Sequence, residues 1–297
     1  MLLTDLKHLK PADELAVIIN LNTRLIATLA LLSTLRHAAM PVLLIDCQSA
    51  DGSFEHFTHL METCSFDLLS APRKKHGQTL DWLFQNVPAK KVLLVDSDLE
   101  ILDPEIIKFL REFIEHAQTF GSGFINGPQR LTDHAGTILE NAYFQERIWM
   151  PLTLLKTSFM REAINAGHSF AASTVYNDLA SFPRVSRAFA KLRHRHPWLR
   201  KLGLQTPRAF RREFHGQHPS IIYQDTGADI YQHLRYEREL WFAGLPEPYH
   251  PRHVTHFFGT TRNALGEKGP HSGDRHNANL ALASSRLKEI YGFAPLK

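Results

Sequence analysis

Two aspartates one residue apart follow an apolar run in the segment Val92–Asp98. Asp96 and Asp98 stand at the end of a predicted strand, and an open α/β sheet binds its ligands at that end. Alternate residues of an extended chain point to the same side, so both carboxylates are expected to face one ligand. Such oxygen donors suit Mg²⁺ or Mn²⁺ together with phosphate oxygens. The segment predicts a metal site; the alternative is a solvated turn before a helix that starts at Pro104.

The same spacing of aspartates occurs in phosphatases of the haloacid-dehalogenase type, usually after the first strand. Those enzymes usually carry Thr or Val two positions after the second aspartate, whereas this chain has Glu100. The phosphatase interpretation is therefore disfavoured.

A second apolar run, Val42–Asp46, also ends in a carboxylate and leads into the turn at 51–53. Asp-Gly-Ser alone is ordinary turn chemistry. Together with Asp46 and Ser49, however, it resembles the Asp-x-x-Ser-x-Asp-Gly-Ser/Thr signature of the family-two glycosyltransferases, which have the glycosyltransferase-A fold. The resemblance implies that Asp46 hydrogen-bonds the base of a nucleotide, with uridine as the first expectation.

The resemblance extends over the first half of the chain. Asn20, Asn22 and Arg24 lie where that family has its nucleotide loop, after the first strand. His76 and Gly77 stand at the place of a donor-loop element, so the resemblance implies that they approach the donor. A glycine after a basic run can come close to a diphosphate, and a solvated loop is the alternative.

A carboxylate follows the apolar run of the second half. Inverting members of the family have a Glu-Asp pair at such a place, and the resemblance implies that Asp225 is the base that deprotonates the acceptor hydroxyl. Gln224 replaces the glutamate here. The alternatives are that Asp225 or Thr226 caps the following helix, or that Asp229, one helical turn later, is the base.

The segment His253–Gly259 carries two imidazoles three residues apart. Several glycosyltransferase-A enzymes use a C-terminal histidine followed by a glycine as a further ligand, and the resemblance implies this role for His256 at the metal. Arg262 is expected to hold phosphate through its planar fork of donors. Because the chain has 18 histidines, a chance pair is the alternative.

These resemblances imply a glycosyltransferase that uses Mn²⁺ or Mg²⁺ and a nucleotide diphosphate sugar. The acceptor would be the hydroxyl of a saccharide or lipid-linked saccharide. Asp98 would be the main metal ligand, and Asp96 would assist at the metal and the nucleotide. Transfer is expected to be inverting, and also non-processive, because the Gln-x-x-Arg-Trp motif of processive synthases is absent.

Two alternatives to this function stay open. A sugar-phosphate nucleotidyltransferase would have a glycine-rich loop after the first strand, and residues 20–24 contain no glycine. A non-catalytic module that binds nucleotide sugars would usually have lost the aspartate pair, which is intact.

The elements that must position these residues follow an alternating pattern of strands and helices between Glu14 and Asp98, typical of βαβ units. We predict an α/β fold with a mostly parallel central sheet flanked by helices, followed by a more irregular α+β half. Residues 1–125 would bind the nucleotide sugar and residues 126–297 the acceptor, within one continuous domain. We expect strands at 15–20, 42–46, 66–69, 92–95, 121–126, 147–156, 220–223 and 253–258, and helices at 24–37, 228–242 and 280–291. Pro151 predicts an edge strand or a bulge.

Composition limits the class of protein. The chain has 297 residues, 43% of them hydrophobic, which is enough for a large core. Two cysteines without close spacing argue against a disulfide scaffold and against a zinc knuckle. The longest apolar stretch, 25–35, is too short to cross a bilayer, and no secretory signal peptide is recognised, so a cytoplasmic location is expected.

The net charge of +4 favours anionic partners, and residues 184–215 hold ten Lys or Arg against one acid. This segment is interpreted as a solvated face, or as a surface that contacts anionic lipid headgroups or a pyrophosphate-linked acceptor at the membrane. No nucleic-acid motif accompanies the charge, so a nucleic-acid partner is not expected.

Overall fold

This computed structural model describes residues 1–132, 138–176, 221–245, 252–258 and 272–293. Strands occur in most of these ranges. In chain order they are β1 (Leu2–Leu3), β2 (Ala12–Asn20), β3 (Val42–Asp46), β4 (Asp67–Ser70), β5 (Ala89–Asp96), β6 (Leu99–Ile101), β7 (Thr119–Asn126), β8 (Gln129–Thr132), β9 (Ile138–Phe144), β10 (Arg147–Lys156), β11 (Ser173–Tyr176), β12 (Ile221–Gln224), β13 (Trp241–Gly244) and β14 (Val254–His256). The helices are α1 (Arg24–His37), α2 (Ser53–Leu60), α3 (His76–Asn86), α4 (Glu105–Ile114), α5 (Thr157–Asn165), α6 (Ala228–Gln232) and α7 (Ser272–Tyr291).

Eight strands form the central sheet in the order β1-β4-β3-β2-β5-β10-β7-β13. The strands from β1 to β5 in this order are parallel, β10 is antiparallel to both of its neighbours, and β13 is parallel to β7. Two smaller sheets have the orders β11-β12-β9-β8 and β14-β6. The predicted fold class, α/β with a mostly parallel sheet flanked by helices, is confirmed.

Helices cover both faces of the central sheet because its strands are apolar on both sides. On β5, Val92 and Leu94 point into one buried cluster, whereas Leu93 and Val95 point into another. Helices α3 and α5 pack on the first face, and α1, α2 and α4 pack on the second.

Helix α1 begins and ends as its leucine spacing predicts, but it is buried on two sides. Ala27 and Leu31 face the sheet, whereas Leu29 lies in a separate cluster with Ala283 and Leu287 of α7. Helix α7 begins at Ser272, earlier than predicted, and covers the outer side of α1.

Strand β10 is internal to the sheet, so the prediction that Pro151 marks an edge strand is wrong. Pro151 instead lies where the register with β7 shifts between Ile148 and Thr153, which confirms the alternative of a bulge. Proline has no backbone N–H to donate. A bulge, where the hydrogen bonds between the strands are irregular, tolerates this missing donor.

The predicted helix 228–242 is wrong beyond Glu237, and only Ala228–Gln232 of it is α-helical. The chain continues as a π-helical turn, His233–Glu237, and Glu239 has a left-handed φ of 53°. Trp241–Gly244 then pairs with β7. Pairing with the sheet has overridden the helical pattern of the sequence.

A buried ion pair fixes α7 against the sheet. The side chain of Glu100 in β6 is only 1% exposed. Its carboxylate accepts hydrogen bonds from Arg286 Nε and, at 3.3 Å, from the Tyr291 hydroxyl.

Among the described helices, none has both the length and the apolarity needed to span a membrane. Residues 184–215 lie outside the described residues.

Replacing Arg286 by alanine should leave Glu100 buried without its cation. We expect the free energy of unfolding to fall by about 3 kcal/mol, the lower end of the cost of breaking a buried pair. Chemical denaturation measures it, with Lys288→Ala as a control because Lys288 is exposed on the same helix. Equal stability of the two variants would mean that the pair does not anchor α7.

Candidate active site at the carboxyl edge of the sheet

Three neighbouring parallel strands end in polar residues at one edge of the sheet. Asn20 of β2 is in register with Asp46 of β3, and Ile19 is in register with Asp96 of β5. The carboxyl ends of parallel strands lie together, so the amide and both carboxylates meet there.

Asp46 organises the loop that follows β3. Its Oδ1 accepts hydrogen bonds from Asn20 Nδ2 at 2.8 Å and from Ser49 Oγ at 2.6 Å, and its Oδ2 accepts one from Ser49 N at 3.0 Å. Asp46 and Asn20 have no exposed surface. The predicted direct contact between Asp46 and a nucleotide base does not fit this conformation, because no carboxylate surface is open to a ligand.

The loops after β2 and β3 hold each other through further hydrogen bonds. Asn22 donates its backbone N–H to Ser49 Oγ at 2.9 Å, and its Oδ1 accepts the N–H of Ala50 at 2.7 Å. Asn22 has a left-handed φ of 56°, which asparagine tolerates better than most residues. Asn22 and Ser49 are half-buried, so they lie where a ligand at this edge can meet them.

Asp51 joins the starts of two helices. Its Oδ2 accepts the backbone N–H of Arg24, the first residue of α1, at 3.0 Å, and its Oδ1 accepts the backbone N–H of Ser53, the first residue of α2, at 3.1 Å. Gly52 has a φ of 75°. Part of the Asp-Gly-Ser signature therefore has a structural role, and Arg24 is held at the loop.

Asp96, Asp98 and His256 come together as predicted, and one ligand atom from each lies within 4.8 Å of the other two. His256 Nε2 is 3.1 Å from Asp98 Oδ1. The antiparallel pair of β6 and β14 sets this geometry, because it places His256 opposite Leu99, the residue after Asp98.

Carboxylates and imidazoles crowd together at this cluster. Burial raises the pKa of Asp96, and the carboxylates of Asp98 and Asp225 raise it further. The imidazoles of His76 and His256 act in the opposite direction. His256 Nδ1 is buried and meets no hydrogen-bond partner among the described residues. Two crowded carboxylates and an imidazole fit a divalent cation, Mn²⁺ better than Mg²⁺ because of the nitrogen donor.

Asp225 is close enough to the cluster to influence the pKa of Asp96, but its carboxylate has partners of its own. Oδ2 lies 3.1 Å from Arg147 Nε, and Oδ1 accepts the backbone N–H of Thr226 at 2.8 Å. Neither predicted cap is found, because Gly227 is the N-cap of α6. The competing carboxylate, Asp229, contacts His168 Nδ1 at 3.0 Å and the N–H of Ser169 at 3.1 Å.

The basic run 73–75 is an exposed loop, as the solvated-loop alternative proposed, whereas His76 and Gly77 form the first turn of α3. His76 is exposed and lines a small cavity with Asp96 and Met150. Gly77 is buried, and a Cβ there would lie 2.5 Å from Ala171 Cα. The glycine therefore permits a close approach of two backbones.

Gly77→Ala should be destabilising, because backbone atoms cannot yield as a flexible side chain would. We expect a loss of about 1–3 kcal/mol in the free energy of unfolding, as for overpacking. Gly127→Ala is the matched control, since a Cβ at Gly127 meets no atom within 4 Å. Thermal denaturation that does not distinguish the two variants would contradict the close packing at Gly77.

Several residues of the site were not predicted. Thr23 donates its hydroxyl hydrogen to Asn20 Oδ1 at 2.6 Å, and its Oγ1 lies 3.1 Å from Ser97 Oγ, which ties the loop after β2 to the aspartate pair. Arg147, beside Asp225, was missed as well, because the two residues are far apart in the sequence and no motif links them. Arg262 lies outside the described residues.

Gln224, which replaces the family's glutamate, is part of the second sheet. Its amide donates to Gln145 Oε1 at 2.9 Å and accepts from Ser173 Oγ at 3.0 Å. The side chain is buried. It therefore joins β11 and β12 to the turn between β9 and β10.

No protein-family model and no curated protein matches the chain. Among solved structures, it is similar to Staphylococcus aureus TarS 1-349 in complex with UDP-GlcNAc, with 14% identity, a TM-score of 0.38 and coverage of 51% of this chain and 47% of that one. It is also similar to the mannosyltransferase PcManGT from Pyrobaculum calidifontis in complex with GDP-Man and Mn²⁺, with 12% identity, a TM-score of 0.40 and coverage of 96% and 77%. A third is 4-diphosphocytidyl-2C-methyl-D-erythritol synthase from Anaerococcus prevotii, with 8% identity, a TM-score of 0.37 and coverage of 52% and 76%. These likenesses concern the fold alone.

Proposed function

We propose that this protein is a metal-dependent glycosyltransferase that moves a sugar from a nucleotide diphosphate sugar to an acceptor hydroxyl. One observation above all supports this function: Asp96, Asp98 and His256 lie within 4.8 Å of one another at the carboxyl edge of the sheet. They stand beside the loops that follow β2 and β3, and the loop after β3 carries the glycosyltransferase-like signature. The proposed cation site and the proposed nucleotide site are thereby adjacent.

A Mn²⁺ or Mg²⁺ ion held by Asp96, Asp98 and His256 would act as a Lewis acid on the diphosphate. The chain's own groups at this edge bind and orient the donor. The exposed imidazole of His76 lies near Asp96, where it is placed to donate a hydrogen bond to a phosphate oxygen. Arg24 at the start of α1 and Arg262 are the proposed cationic partners of the diphosphate.

Asn22 and Ser49 are the proposed contacts of the nucleoside, and we place Asp46 behind them as a positioning residue. Uridine stays the first expectation for the base. Asp46 holds Ser49 through two hydrogen bonds, and Ser49 in turn accepts the N–H of Asn22.

On the acceptor side, Asp225 is the proposed base. The guanidinium of Arg147, which also lies over the Phe144 ring at 5.1 Å, fixes the direction of the carboxylate. Displacement with inversion requires such a base on the face opposite the leaving group. Transfer of one sugar per encounter, a saccharide or lipid-linked acceptor, and membrane contact by residues 184–215 stay predictions.

Release of nucleoside diphosphate tests the proposed function. The full chain with Mn²⁺ and a panel of nucleotide sugars should release a nucleoside diphosphate from one donor, faster when saccharide acceptors are added. Formation of pyrophosphate from a nucleoside triphosphate and a sugar 1-phosphate would identify a nucleotidyltransferase instead. Binding of the donor without either reaction would identify a binding module.

Asp46→Ala distinguishes a positioning role from a base contact. Loss of the carboxylate leaves Asn20 and Ser49 without their buried acceptor, so we expect the free energy of unfolding to fall by about 1–3 kcal/mol and donor binding to weaken with it. Denaturation and calorimetry on the same preparation measure both, with Asp13→Ala, an exposed site, as the control. Weakened nucleoside binding at unchanged stability would instead support a direct contact between Asp46 and the base.

A further inference from the structure

A second group of metal-type side chains lies outside the proposed active site. His168, His233 and Glu237 each offer one ligand atom, and these atoms lie within 4.8 Å of one another. His168 follows α5, whereas His233 and Glu237 are the first and last residues of the π turn after α6. This group, here called the α5–α6 cluster, shares no residue with the group of Asp96, Asp98 and His256.

His168 is oriented by a carboxylate. Its Nδ1 lies 3.0 Å from Asp229 Oδ1, and the other oxygen of Asp229 accepts the N–H of Ser169 at 3.1 Å. Histidines that bind metals usually direct one ring nitrogen to a carboxylate in this way, which leaves the second nitrogen for the cation. Asp229 is thus placed to fix the tautomer and the direction of the His168 ring.

His233 has a nitrogen that the described residues leave without a partner. The residue is only 7% exposed; its Nδ1 lies 3.0 Å from Glu237 Oε2, and its Nε2 is buried without a hydrogen bond among the described residues. Its ring stacks on that of His168, with centroids 3.9 Å apart and an interplanar angle of 17°. A buried polar nitrogen without a partner is rare in folded proteins and points to a missing ligand.

We propose that His168, His233 and Glu237 bind a divalent cation of the Zn²⁺ type. Two imidazoles and one carboxylate form a donor set that such borderline ions favour over Mg²⁺ or Ca²⁺. The π turn supports this assignment, since such turns are frequent at functional sites. The cation joins the loop after α5 to the end of α6, and Asp229 acts as the positioning residue of His168.

Metal titration in an Asp98→Ala background tests the second site alone. Zn²⁺ is measured by calorimetry and Co²⁺ by its visible absorption, so that no activity is required. The background variant should bind one equivalent of either ion. Glu237→Gln and His168→Gln in that background should each weaken binding at least about 10-fold, and Asp229→Asn should weaken it about 10- to 100-fold, as for a residue that orients a ligand.

His59→Gln is the matched control, because His59 forms a similar pair with Glu62 at the surface, where both side chains are about two-thirds exposed. It should leave the affinity for Zn²⁺ unchanged. Circular dichroism identifies any variant that fails to fold; Glu237 is half-exposed, so its variant carries the test if His168→Gln does not fold. Absence of stoichiometric binding in the Asp98→Ala background, or equal affinity in Glu237→Gln and His59→Gln, would overturn the site.

Discussion

Asp98→Ala is expected to abolish the Mn²⁺-dependent binding of UDP or another nucleoside diphosphate while the protein stays folded. Asp98 is buried and contacts His256 at 3.1 Å, so its loss removes one ligand of the cation and the partner of another. A diphosphate that binds through the cation should then lose at least about 100-fold in affinity. Loss of a residue that only orients a metal ligand costs about 10- to 100-fold, and loss of the metal ligand itself should cost more.

Calorimetry with UDP in the presence of Mn²⁺, and again after addition of a chelator, measures this effect. Asp13→Ala is the control, because Asp13 is an exposed carboxylate at the start of β2, far along the strand from the site. Affinity that neither Asp98→Ala nor the chelator changes would contradict the metal site at Asp96, Asp98 and His256.

Asp225→Asn should slow sugar transfer by about 10²–10⁴-fold, the usual contribution of a general base. Asparagine keeps the shape of the side chain and the acceptor for the Thr226 N–H, which the native residue contacts at 2.8 Å. The affinity for the donor should be nearly unchanged, because the substitution affects the acceptor side. Initial rates of nucleoside diphosphate release with a competent acceptor measure the loss.

Asp229→Asn separates the two candidate carboxylates. Both oxygens of Asp229 already contact His168 and Ser169, so we expect its variant to keep most of the transfer activity. Normal turnover in Asp225→Asn together with a large loss in Asp229→Asn would reassign the base. Normal turnover in both would favour a retaining mechanism that needs no such base.

The first half of the fold was predictable because local patterns and tertiary structure agree there. The run Val42–Asp46 and the leucine spacing of Arg24–His37 gave the bounds of β3 and α1 as the structure has them. Parallel strands that are buried on both faces appear in the sequence as continuous runs of apolar residues. Polar residues that interrupt the signal at the strand ends, such as Asp96, mark the edge where the site forms.

The second half was less predictable because distant contacts decide its structure. Residues 228–242 have a helical pattern, yet Trp241–Gly244 pairs with β7, more than a hundred residues earlier. Pro151 lies in an internal strand because β10 has partners on both sides. Neither pairing leaves a local signal in the sequence.

The candidate site also combines residues that motifs predicted with contacts that no local pattern indicates. Asp96, Asp98 and His256 were predicted as a group from motifs, and they do lie together. The burial of Asp46 and the close approach at Gly77 were missed, because a motif indicates which residues matter and not which surface they present. The contact between Arg147 and Asp225 depends on the second half of the fold.

The central claim is that Asp96, Asp98 and His256 form a metal-dependent site for a nucleotide diphosphate sugar. Thermal unfolding of the full chain with a panel of nucleotide sugars, each with and without Mn²⁺, tests it most directly, because a ligand of the native state raises the apparent stability. We predict that at least one nucleotide sugar at about 100 times its dissociation constant adds about 2.7 kcal/mol only when Mn²⁺ is present, and that Asp98→Ala loses this effect. No stabilisation by any nucleotide sugar, or the same stabilisation without Mn²⁺ and in Asp98→Ala, would contradict the claim.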